Sequence, residues 1–117
     1  MRPHFRFEDL EIWQLAESLA VKFHGLADTL DKRRLYRYAE QLRGAGLSLT
    51  NNIAEGSGST HLQEFKQFLN IARRSLFEDA SMLMVFESLG FFSSGEIDAD
   101  CDLLSRKITN FSRTLKP

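Results

Sequence analysis

The chain has 117 residues, 43% hydrophobic and 26% charged, with 15 Lys and Arg against 16 Asp and Glu for a formal net charge of −1. That size suits one domain with a continuous core built without disulfides or metals. No apolar run approaches the roughly 18 residues of a membrane span, and the single cysteine, Cys101, excludes an internal disulfide and, with three scattered histidines, falls short of a tetrahedral zinc site.

The first residues, Met1 to Arg6, are basic but run straight into Glu8 and Asp9 with no apolar stretch or small-residue cleavage site, which points to a cytoplasmic protein. A first helix is expected over about 8–30, where Ile12, Ala16, Leu19, Phe23, Leu26 and Leu30 recur at alternating steps of four and three. Leu35, Ala39, Leu42, Gly46, Leu49 and Ile53 repeat the rhythm in a second helix over about 32–55, with Asp31 as its cap and Gly56 as the left-handed residue that ends it. Gly44 and Gly46 stand inside that helix, where each costs about 1 kcal/mol relative to alanine. With Ala39 and Ala45 they form a small-residue surface for close packing.

A third helix is expected over about 60–89, opened by a Thr60/Gln63 capping box and closed by Gly90. Leu62, Phe65, Leu69, Ala72, Leu76, Leu83 and Phe86 make one apolar face, while Phe68, Ile71, Met82 and Val85 make a second, assigned to an oligomer interface. A fourth helix over about 94–115 carries Ile97, Cys101, Leu104, Ile108, Phe111 and Leu115 behind a Ser93/Glu96 capping box. No segment alternates apolar and polar residues long enough for a sheet. The expected fold is all-α, an antiparallel up-and-down four-helix bundle forming one domain over 1–117.

Chemistry is sparse. There is no serine elbow and no helical histidine pair, and Gly56-Ser57-Gly58-Ser59 lacks the lysine and the preceding strand of a phosphate loop. No catalytic residue, cofactor or metal is expected. Asn52, Glu55 and Gly56 read first as a structural motif at a helix end and second as a polar contact site, since no histidine, lysine or second carboxylate stands beside Glu55 in a recognisable motif.

Phe7-Glu8-Asp9-Leu10-Glu11-Ile12-Trp13-Gln14-Leu15-Ala16, Gln41-Leu42-Arg43, Asn52-Ile53-Ala54-Glu55-Gly56, and Glu64-Phe65 followed by Phe68-Leu69 and Ala72-Arg73 form a signature along nearly the whole chain. It resembles the four-helix-bundle family of 23S ribosomal RNA intervening-sequence proteins, which is similar to the accessory variability protein of diversity-generating retroelements. The resemblance implies a ring-like homopentamer that associates with nucleic acid and with a reverse transcriptase or other protein, and implies no catalytic activity. Gly44 and Arg74 stand where relatives usually carry arginine and glycine, so a rearranged basic surface is expected.

Net charge is near zero and the isoelectric point is about 6.3, so any nucleic-acid contact must come from charge distribution. Acidic residues gather at the start of the first helix and at Glu96, Asp98, Asp100 and Asp102. Arg33, Arg34, Arg37, Arg43, Lys66, Arg73 and Arg74 make the middle helices basic and are the candidate nucleic-acid-binding residues. The competing reading pairs these cations with acids such as Glu40, Glu78 and Asp79. The expected function is a non-catalytic homo-oligomer that binds structured RNA, DNA or an RNA–protein complex; the alternative is a protein-interaction scaffold.

Overall fold

The computed structural model describes all 117 residues. A 3-10 turn at Arg6–Asp9 leads into four helices, α1 (Glu11–Lys32), α2 (Tyr36–Ser57), α3 (Leu62–Ser88) and α4 (Gly95–Thr114). Each helix packs on its neighbours in sequence, α4 closes the ring against α1, and the backbones of the diagonal pairs stay apart. Short connections and this closure make an antiparallel up-and-down bundle. The α1–α2 and α3–α4 connections share one end; the α2–α3 connection and the 3-10 turn lie at the other. None of the helices is long and apolar enough to cross a membrane.

Hydrophobic periodicity accounts for the core. Ile12, Ala16, Leu19, Phe23 and Leu30 of α1 are buried, as are Ala39, Leu42, Leu49 and Ile53 of α2. Leu26 is only partly covered, and Ala27 takes the buried place beside it. Phe65, Leu69, Ala72, Leu76, Leu83 and Phe86 line the inner face of α3, and Cys101, Leu104 and Ile108 that of α4. Together they form one continuous core.

Gly46 marks a close approach of α1 and α2. A Cβ built there would stand 2.9 Å from the Ala20 Cα, a distance side chains do not tolerate. Gly44 faces open space, so the expected small-residue surface rests on Gly46 and not on both glycines.

Helix ends depart from the expected caps. Asp31 lies within α1, the α2 N-cap is Leu35, and no side chain caps that helix. The α1–α2 turn closes instead through backbone: the Leu35 and Arg34 amides donate to the Leu30 and Asp31 carbonyls, with Arg34 at φ 62° in the left-handed position usually filled by glycine. Gly56 remains helical and does not end α2; its missing side chain admits Phe68, whose Cβ would otherwise be 2.8 Å away. His61 precedes α3 without a side-chain cap, and the Thr60 hydroxyl meets the His61 ring in place of a capping box. Ser94, not Ser93, precedes α4; its amide donates to Glu87 and its hydroxyl to Asp98, because the chain turns one residue later than the Ser93/Glu96 spacing implied. Gly90 ends α3 as expected, at φ 80°, with the Phe91 amide donating to the Phe86 carbonyl.

The two helical glycines therefore respond oppositely to alanine. Gly44→Ala is expected to raise unfolding free energy by about 1 kcal/mol through helix propensity. At Gly46, overpacking of about 1–3 kcal/mol outweighs the same gain. Urea denaturation of the two variants checks this: a stabilised Gly46→Ala protein would contradict the close approach.

Candidate nucleic-acid interface

Antiparallel packing sets the first half of α3 beside the last half of α4. Lys66, Asn70, Arg73 and Phe77, at steps of four, three and four, share one flank of α3, and Arg106, Thr109 and Arg113 share the facing flank of α4. Between them runs a groove in two adjoining parts. One, of about 370 Å³, is lined by Lys66, Asn70, Arg73, Thr109, Ser112 and Arg113 above Leu69 and Ile108, with no carboxylate. The other, of about 390 Å³, shares Arg73, Thr109 and Arg113 and adds Phe77, Ser105 and Asn110 with the Asp102–Arg106 ion pair.

The cations of the first part are not consumed by the fold. The lysine and arginine ion pairs of the four helices engage Arg43 with Asp28 and Asp31, Lys22 with Asp100, Lys107 with Glu11 and Arg106 with Asp102. Lys66, Arg73 and Arg113 join none of them, and the hydroxyl-bearing Thr109 and Ser112 lie between. Clustered cations and hydroxyls without a competing carboxylate have the chemistry of a phosphate contact.

The 23S rRNA-intervening sequence protein family model matches residues 8–115. The chain belongs to this family. Comparison with curated proteins and with solved structures gives no significant match.

In this member of the family the expected basic residues separate into four groups. Lys66 and Arg73 enter the groove. Arg74, the next residue after Arg73, turns about 100° away around the helix and is exposed outside it. Arg33, Arg34 and Arg37 sit at the far end of the bundle: Arg33 donates to the Gly90 and Phe91 carbonyls at 3.2 and 3.4 Å and covers the Phe91 ring, tying the two connections together. Arg43 is held by Asp28 at 2.6 Å and Asp31 at 2.7 Å, which makes it a clamp between α1 and α2.

Arg106 and Arg113 are additions. Their signal was a change of sign along α4, from Glu96, Asp98, Asp100 and Asp102 in its first half to Arg106, Lys107 and Arg113 in its second.

The second apolar face of α3 also divides. Phe68 and Met82 are half-buried, Phe68 against Gly56 and Met82 at the core edge, so neither is wholly available to another chain. Ile71 and Val85 are 45% and 53% exposed, and Phe77, Met84 and Leu89 are exposed with them. Of the structural motif, Asn52 donates to the Ser48 carbonyl at 2.8 Å and Glu55 is exposed on the last turns of α2.

Asp79 takes the next core position after Ala72 and Leu76 on the four-and-three rhythm and is 5% exposed. It is not an arginine partner, for its Oδ2 is buried without any hydrogen bond. Burial pushes its pKa up to about 7, with the neighbouring Glu78 carboxylate adding to the shift. Burial likewise lifts the Cys101 thiol to about 12, helped by Asp79, Asp98 and Asp100, so Cys101 stays protonated and unreactive as a nucleophile.

Burial of the Asp79 carboxyl sets the sign of a pH dependence. Its folded pKa is above the unfolded value of 3.8, so its stabilising contribution is full below that value and is lost as pH rises through about 7. Unfolding free energy is expected to fall across this window by up to about 4 kcal/mol. Asp79→Asn should flatten the fall and stabilise the protein at pH 8, measured by urea denaturation from pH 4 to 8; an unchanged slope in the variant would remove Asp79 as its source.

Proposed function

We propose that this family member is a non-catalytic nucleic-acid-binding protein that holds the phosphate backbone of structured RNA in the α3–α4 groove. The observation that carries the reading is the set of cations Lys66, Arg73 and Arg113, in no ion pair, lining the part of the groove that has no carboxylate. Membership of the 23S rRNA-intervening sequence protein family supports a role connected with nucleic acid. On this reading the site lies at the seam between the third and fourth helices, and a net charge of −1 is no obstacle because no acid lines the Lys66 part of the groove.

We also propose that copies self-assemble, as a homopentamer in keeping with the family resemblance, through the outer surface of α3, where Ile71 and Val85 are exposed. Assembly repeats the groove and raises avidity without new contacts. Ile71→Asp together with Val85→Asp should reduce the assembly mass seen by light scattering while leaving helical circular dichroism intact; an unchanged mass would place the interface elsewhere. The same exposed apolar residues favour a second reading, a scaffold for a reverse transcriptase or other protein without direct nucleic-acid contact.

Binding to structured RNA across a salt series separates these readings. Wild-type affinity should fall steeply with salt, and Arg113→Gln should reduce the slope of log K against log salt by about 1, the loss of one phosphate contact. Arg73→Glu with Arg113→Glu should abolish binding, whereas Arg74→Glu, outside the groove, should change it little. Equal effects of Arg74→Glu and Arg73→Glu would reject the groove, and no binding at low salt would leave the scaffold.

A further inference from the structure

We propose that the groove also holds one unstacked base, with Phe77 as its platform, so that the preferred ligand is a single-stranded or looped segment and not a continuous duplex. This rests on the nucleic-acid reading above and names the substrate class of the same site.

The two parts of the groove differ in chemistry. The part containing Lys66 offers cations and hydroxyls with no acid, which suits a phosphate. The adjoining part adds the Phe77 ring and an acid, Asp102, one of whose oxygens is held by Arg106 at 3.0 Å, and each part carries an amide, Asn70 in the first and Asn110 in the second. A carboxylate repels phosphate but accepts a hydrogen bond from an exocyclic amine, and an amide presents both a donor and an acceptor to a base edge.

Phe77 lies at this second part and is 60% exposed, an apolar ring that the core does not use. The Arg73 guanidinium stands 5.6 Å from the ring centroid, one turn away on the same flank. Arg73 lines both parts, and so reaches a phosphate on one side and a π-face on the other.

An exposed aromatic ring adjoining a cationic groove is an arrangement by which proteins bind unpaired nucleotides, because every base has a face to stack. Inside a duplex those faces are already covered. A ring on a helix flank therefore gains nothing along the interior of a duplex and gains fully from a base turned out of one.

Phe77→Leu keeps an apolar side chain and removes the ring. Its binding and that of the wild type are measured by fluorescence anisotropy, on a mixed-sequence single-stranded oligoribonucleotide and on a blunt RNA duplex of equal phosphate number, across a salt series with assembly mass determined in parallel. The variant should lose roughly tenfold on the single strand, keep the same salt slope and mass, and lose nothing on the duplex; Phe77→Trp should restore the single-strand affinity.

Equal loss on both ligands, no loss on either, or a changed assembly mass, as expected if Phe77 serves a protein contact beside Met84, would overturn the proposal. Wild-type protein that binds neither ligand at low salt defeats the nucleic-acid reading itself. Salt-sensitive binding that depends on Arg73 and Arg113 but ignores Phe77→Leu defeats only the base platform.

Discussion

A side chain on Gly46 would collide with the Ala20 backbone, so the bundle is organised around how closely α1 and α2 can approach. Ala16, Ala27 and Ala39 are completely buried in the same pair of helices, leaving little bulk between them. Arg43 then bridges the pair from outside by binding Asp28 and Asp31 together. With α1 and α2 drawn in, the larger residues Phe65, Leu69, Leu76, Leu83 and Phe86 of α3 and the shorter inner face of α4 complete the core. Dense packing of this kind transmits any increase in side-chain volume directly to helix spacing.

The same economy of pairing shapes the surface. On α1 and α2, acids and bases meet, and Lys22 and Lys107 link α4 with α1 through Asp100 and Glu11. Charge is thereby neutralised at those contacts. The seam between the first half of α3 and the last half of α4 lacks such partners, since the acids of α4 are confined to its opening turns. A chain of near-zero net charge thus acquires a local cationic groove, and local potential governs encounter with a polyanion more than the total does.

Asp79 shows a different compromise. A carboxyl at a core position with a buried, unpartnered oxygen is destabilising when charged, and the fold tolerates it by favouring the neutral form up to about pH 7. The position follows the same periodicity as Leu76 and Leu83, so its burial was legible in spacing although its polar type argued for the surface.

Sequence by itself determined the helices and most of the core, because apolar spacing of four and three depends only on the geometry of one helix. It determined the signature residues that carry the family, and the closing role of Gly90, whose left-handed conformation follows from local chain geometry. Tertiary structure decided the rest. Whether an arginine is free or bound depends on which acid another helix brings to it, which is why Arg43 became a clamp and Arg33 a tie between connections while Arg73 stayed open. Gly56 and Gly46 had their roles set by the partners Phe68 and Ala20, invisible from within α2. Only the antiparallel meeting of α3 and α4 joined Lys66 and Arg73 to Arg113, since residues so distant along the chain share a site through packing alone.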